Sequence, residues 1–253
     1  MAAFNTSFAQ IASQWSGKSV AYLGDSMTDP RNSSANVKYW NVLEDEMGIK
    51  PYVFARSGYE WKRLLSKAEE MRDSVGDKIN AVIIWCGTND FNHNVPLGEF
   101  FSERMDSVNH NGKMKLRKHR SLEMNDSTFA GNINRVMSYL KENFPDRQVI
   151  IMTPIHRGYA NFSEKNVQPD ENYANDLGLY IEDYVHMLRH AADVWAIPLI
   201  DMYSLSGIYP NFDSNIRYIS KKDTDRLHPN NEGHRRIART MQAQLMALPV
   251  DFN

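Results

Sequence analysis

Five short apolar runs, rich in β-branched residues and closed by turn-forming residues, most constrain the fold. They are SVAYLG (19–24), PYVFA (51–55), AVIIWCG (81–87), QVIIMTP (148–154) and IPLIDMY (197–203). Each is too short for a buried helix, and continuous apolarity marks a strand covered on both faces. The segments between them carry helical spacing instead. Trp61, Leu64, Leu65, Ala68 and Met71 form one stripe, and Ile133, Val136, Met137, Leu140 and Phe144 form another behind an N-cap at Ser127. A third stripe over 172–195 holds Leu177, Ile181, Tyr184, Leu188, Ala191 and Trp195; a last helix from about Asn231 turns Ile237, Met241 and Leu245 inward. Strands alternating with helices require right-handed crossovers, so the pattern predicts a parallel sheet inside a three-layer α/β/α sandwich.

The 253 residues, 42% of them hydrophobic, suffice for one well-buried domain spanning 1–253. A formal charge of -2 supplies no field for a polyanion, which argues against nucleic acid or an acidic membrane as partner and favours a small ligand. The lone Cys86 sits inside an apolar run and reads as a small buried hydrophobe. The N-terminal stretch MAAFNTSFAQIASQW lacks the basic and apolar regions of a secretory leader, and no run reaches the length of a membrane span. The expectation is a cytoplasmic chain, or a secreted one whose leader has been removed.

Three connections are long: 91–126, 155–171 and 204–227. All leave the carboxyl edge of the expected sheet, where open parallel sheets bind ligands. The polar clusters GDS, RSGYEW, GTND, TPIHRG and DRLHPNNEGH converge on that edge. Acyl transfer from a hydroxyl needs a nucleophile, a base, a group that orients the base, and oxyanion donors. Ser26, at a turn expected to open a helix, can be the first. His228, held by Pro229 on a short loop, can be the second, with Asp225 three residues earlier orienting it. Asn89 offers an amide N–H that does not titrate, and Gly58 lets a backbone N–H approach closely. Taken singly, each has a plainer reading: a helix cap, a surface pair, a turn residue, a lone glycine.

Taken together, GDS near the N-terminus, a glycine after the second strand, GTND after the third and DRLHP near the C-terminus resemble the four blocks of the SGNH, or GDSL-type, hydrolases. The resemblance implies a flavodoxin-like five-stranded sheet and a serine esterase with no metal or organic cofactor. It implies Ser26 as nucleophile, His228 as base and Asp225 as its partner, with an oxyanion hole of the Ser26 and Gly58 amides and the Asn89 side chain. Two departures stand out. Met27 occupies a position where Leu is usual, and Val53 stands where the second block often carries Asn, which makes Gly58 the least anchored assignment.

Substrate choice falls to the loops, where Asp29, Arg31, Tyr59, Trp61, Phe91, His93, His156 and Arg157 are candidate lining residues. Aromatics beside polar groups suit a sugar ring, so the expected substrate is a short-chain acyl ester, foremost an O-acetyl group on a carbohydrate. A lysophospholipase or thioesterase is the alternative within the family. The 91–126 insert, with its basic run KMKLRKHR, is expected to fold over the cleft or meet another subunit. Two readings of other classes remain at this stage. One is a non-catalytic phosphate or flavin binder using a helix N-terminus at Ser26. The other is a metal-dependent hydrolase using His93, His156, His228 and His234, which lack the compact spacing of H-E-x-x-H.

Overall fold

A computed structural model of the chain describes residues 12–252. Most of the N-terminal stretch on which the absence of a leader was argued lies outside them. In chain order the elements are β1 (Ser19–Gly24), α1 (Tyr39–Met47), β2 (Lys50–Ala55), α2 (Trp61–Ser74), β3 (Ala81–Trp85), α3 (Thr88–Asn92), β4 (Phe101–His110) and β5 (Lys113–Leu122). There follow α4 (Phe129–Asn143), β6 (Gln148–Met152), β7 (Ala160–Ser163), β8 (Asn166–Gln168), α5 (Ile181–Trp195), β9 (Leu199–Ile200), α6 (Met202–Leu205), β10 (Ile219–Lys221), β11 (Asp225–Pro229) and α7 (Asn231–Leu245).

The five expected runs pair as a parallel sheet in the order β2-β1-β3-β6-β9. Strand periodicity divides their side chains between two cores. Ala21, Leu23, Val82, Ile84, Val149 and Ile151 face the layer containing α2, α4 and α5. Val20, Tyr22, Ile83, Trp85, Ile150 and Met152 face α1 and α7. Both faces are therefore dry, which is why the runs show no polar alternation. At the end of β1, Gly24 is required by packing, because a Cβ there would lie 2.6 Å from the Trp85 carbonyl oxygen.

Four local expectations are corrected. No helix follows Ser26: the Thr28 and Asp29 amides close a single turn on the Asp25 carbonyl, and the next helix begins at Tyr39. The cap of α4 is Thr128, whose hydroxyl accepts from the Gly131 amide, while the Ser127 hydroxyl donates to Asn125. The 172–195 stripe is helical only from Ile181. Asn175 accepts the Leu177 and Leu179 amides and ties the preceding segment into turns, leaving Leu177 exposed. Finally, β9 is two residues long, because Asp201 turns aside to accept from Thr153 Oγ1 and Arg189 as α6 starts.

The long connections carry structure. Much of 91–126 is the β4–β5 hairpin, paired in register from Phe101↔Leu122 to His110↔Lys113. The 155–171 and 204–227 segments combine into a second sheet, β10-β11-β7-β8. DRLHP is its β11 rather than a loop.

Candidate functional site

Ser26 leaves β1 in the tight turn at the carboxyl edge of the main sheet, while His228 and Asp225 arrive on β11 of the second. The two sheets meet so that His228 Nε2 is 2.9 Å from Ser26 Oγ and His228 Nδ1 is 3.0 and 3.1 Å from the Asp225 carboxylate oxygens. All three residues are buried. Asp225 Oδ1 also accepts the His228 and Leu227 amides, which fixes the carboxylate against its own strand. Burial pushes the Asp225 carboxyl up, but the His228 hydrogen bond and charge and the His228 amide outweigh it and hold it below the usual range. An ionised carboxylate on Nδ1 leaves Nε2 free to accept the serine proton.

Beta-11 does not stand alone. The Arg226 amide donates to the Tyr159 carbonyl at 2.9 Å, the Gly158 amide to the Arg226 carbonyl at 3.1 Å, and the Asn161 amide to the Thr224 carbonyl at 2.8 Å. A Cβ on Gly158 would lie 2.6 Å from Arg226 Cβ, so the two segments approach as closely as backbone permits.

The oxyanion candidates face the same cleft. Gly58 takes φ +82°, a left-handed conformation that favours glycine. Its loop is held by Asp29, whose Oδ2 accepts the Ser57 amide at 2.8 Å and the Ser57 hydroxyl at 3.0 Å. Arg31 donates to the other Asp29 oxygen at 2.8 Å and to the Ala55 carbonyl at 2.8 Å, closing a brace under the loop. Asn89 lies in the first turn of α3, and its amide donates to the Tyr59 carbonyl at 2.9 Å, which sets the side-chain plane. Asp90 is buried and accepts the Trp61 amide, so it tethers the start of α2 beside the site. Asp25, behind Ser26, accepts the Met27 amide at 2.9 Å, and burial pushes its carboxyl up to about 7.

Ser26, Gly58, Asn89, His93 and His228 line one cleft of about 680 Å³. Sequence reasoning missed most of its remaining walls. Asn32, Asn92, Asn94, Asn166, Gln168 and Asn175 contribute amides, and Phe162 and Tyr173 contribute exposed rings. The signal available was the density of Asn and aromatics in 161–175.

Six of the expected lining residues do other work. Trp61 is fully buried, its ring edge-on to Phe129 and its indole N–H donating to the Cys86 carbonyl. Arg157 is buried behind the wall. Its guanidinium donates to the Thr88 carbonyl and hydroxyl at 3.2 Å and to Gln168 at 2.7 Å, and lies over the Phe91 ring. His156 pairs with Glu171 and packs on Tyr203 and Tyr209. Asp29 is the brace just described. Tyr59 contributes its carbonyl to the site rather than its ring, which lies beneath the Lys67 ammonium. Arg31 belongs to the brace and Phe91 to the cleft wall.

The four histidines of the metal reading are held by separate partners: Glu60 for His93, Glu171 for His156, Asp225 for His228, and the Tyr39 ring for His234. Among the described residues no group of three or more His, Cys, Asp or Glu is disposed to bind a metal, and no helix is long and apolar enough to cross a membrane. Burial raises the Cys86 thiol well above its ordinary value, in keeping with a packing role.

Residues 22–236 match the model of the GDSL-like lipase/acylhydrolase family. A search of curated protein sequences finds no match. Among solved structures, a protein from Lactobacillus plantarum superposes with a TM-score of 0.70 at 22% identity, over 92% of this chain and 98% of that one. A possible lipase from Chitinophaga pinensis gives 0.65 at 17% identity over 90% and 97%. An acetyl xylan esterase gives 0.54 at 17% identity over 90% and 99%. At these identities the likeness concerns the fold.

Proposed function

The chain belongs to the GDSL-like lipase/acylhydrolase family, and we propose that it is a serine esterase removing short acyl groups, acetyl foremost, from a carbohydrate or similar small polyol. Ser26 Oγ attacks the ester carbonyl carbon as His228 Nε2 takes its proton. The carbonyl oxygen becomes an oxyanion, stabilised by the Ser26 and Gly58 amides and the Asn89 side chain. The tetrahedral centre collapses, the bond to the alcohol oxygen breaks, and His228 returns the proton to that oxygen, leaving acyl-Ser26. Water then attacks the acyl carbon by the same route, with His228 as base, and releases the carboxylic acid and free Ser26. Asp225 stays ionised throughout and stabilises the imidazolium.

The observation that carries the reading is the hydrogen-bonded line Ser26–His228–Asp225 ending at the wall of the cleft. The substrate class rests on that cleft's lining: the Asn92 and Asn166 amides beside the Phe162 and Tyr173 rings suit hydroxyl-rich rings better than an alkyl chain. The acetyl xylan esterase among the fold neighbours is in keeping with this choice.

The test is an ester series from acetyl to octanoyl on one chromogenic alcohol, followed by acetylated sugars, with the protein and its Ser26→Ala variant. The expected kcat/KM is highest for acetyl and higher still on a sugar. A maximum at octanoyl would refute the substrate class, and hydrolysis undiminished in Ser26→Ala would refute the nucleophile.

A further inference from the structure

Beyond its root at Phe101, which packs against the core, the β4–β5 hairpin is an arm whose side chains stand in solvent. Of its two ten-residue strands, all but Phe101, Asp106 and Leu122 are exposed. A hairpin of two strands is marginal in water unless a face is covered. Antiparallel register puts directly opposed residues on one face, so Met105, Leu116 and Met114 share a side with Phe101 and Leu122. The first three are 56%, 65% and 66% exposed respectively. Arg104, Lys113, Lys115 and Arg117 occupy the opposite face. Residues 101–122 contain six Lys or Arg against two Asp or Glu, within a chain of net charge -2, so the remainder is markedly acidic.

A surface of matching character lies at the cleft mouth. Phe162, Val167 and Tyr173 are exposed there beside Asp176, and the segment 159–180 that carries them also exposes Leu177 and Tyr180 and holds Glu164 and Asp170 against Lys165 as its one cation. We propose that the arm of one copy lies across the cleft mouth of a second copy, in a reciprocal two-fold exchange that places Met105, Met114 and Leu116 against the partner's exposed aromatics. Charge selects this pairing, since two arms laid face to face would repel. An arm roughly 34 Å long and about 10 Å wide, in contact twice and counted on both sides, buries about 1,400 Å², enough for a stable dimer. The partner's arm thereby closes a wall of each site.

The test reads oligomeric state, which does not depend on the esterase assignment. Light scattering with size exclusion, across a concentration series, is expected to give a dimer. The dimer should weaken about 30-fold or more in Met105→Glu/Leu116→Glu and in Lys118→Glu/Arg120→Glu, exposed changes on the docking face that leave the fold intact. Leu116→Cys in one copy and Tyr173→Cys in the other should form a mixed disulfide, with buried Cys86 not competing. A monomer at every concentration, a dimer indifferent to both double variants, or no mixed disulfide would each overturn the proposal. So would a monomer that sediments with phosphatidylserine-containing vesicles, which would make the arm a membrane contact instead.

Discussion

His228 Nε2 lies 2.9 Å from Ser26 Oγ although 202 residues separate them in the chain, and Asp225, on the same strand as His228, holds the far side of the ring. The contact depends on two sheets meeting, since one residue leaves the main sheet and the other arrives on the second. Replacing Asp225 by Asn retains the shape but presents an amide to Nδ1 and favours the wrong tautomer. We expect kcat to fall by about 10⁴-fold, with KM little changed and an unaltered circular dichroism spectrum. A drop below tenfold would show that His228 is oriented by something else.

Asn89→Ala removes a side-chain donor without touching Ser26, His228 or Asp225. The expected loss is about 10²- to 10³-fold in kcat, about 2.7–4 kcal/mol, with KM nearly constant. Rates that fall through KM alone would place Asn89 in ground-state binding.

Asp29→Ala should act at one remove. It frees the Ser57 amide and hydroxyl and releases Arg31, so the Gly58 loop loses its brace. A misplaced oxyanion amide lowers kcat by about 10- to 100-fold. Asp29→Asn, which keeps one acceptor oxygen, should recover part of that loss; equal losses in the two variants would count against positioning through Ser57.

Burial raises the Asp25 carboxyl to about 7, so the folded protein holds that proton more tightly than the unfolded chain does. Its contribution to stability is therefore complete below about pH 4 and is lost as pH rises through about 7. Asp25→Asn is neutral throughout and keeps an acceptor for the Met27 amide. Between about pH 5 and pH 8 the Tm of the wild type should fall relative to that of the variant. Parallel Tm curves would rule this out.

Trp61 was expected among the substrate contacts, but it fills the core between the sheet and α4. Trp61→Ala should cost about 3–5 kcal/mol in urea unfolding. The ranking of substrates by kcat/KM at low denaturant should not change.

The parallel sheet was legible because burial on both faces demands continuous apolarity, and the blocks around Ser26, Asn89 and His228 were legible because their spacing follows strand ends. The second sheet was not. Its strands are three to five residues long, and most of β7 and β8 faces solvent, so neither periodicity nor apolarity marks them. Burial of charge was equally hidden. Nothing local distinguishes Arg157, closed in by Thr88, Gln168 and Phe91, from an arginine in water. The end of the 172–195 stripe was set by the side chain of Asn175, which spends its oxygen on two downstream amides and its nitrogen on Phe91 and Tyr184. Apolar spacing cannot register such a turn.

The stitching of β11 to residues 158–161 bears on any attempt to re-engineer this molecule. The segment an engineer would trim to admit a bulkier alcohol runs on from Phe162 to Gln168, and its root is the neighbour that keeps the His228 strand in register. Libraries aimed at the rim side chains alone can therefore change preference freely, whereas deletions or length changes there will be filtered first by turnover. Selectivity in this scaffold is therefore better altered by repainting that segment than by resizing it.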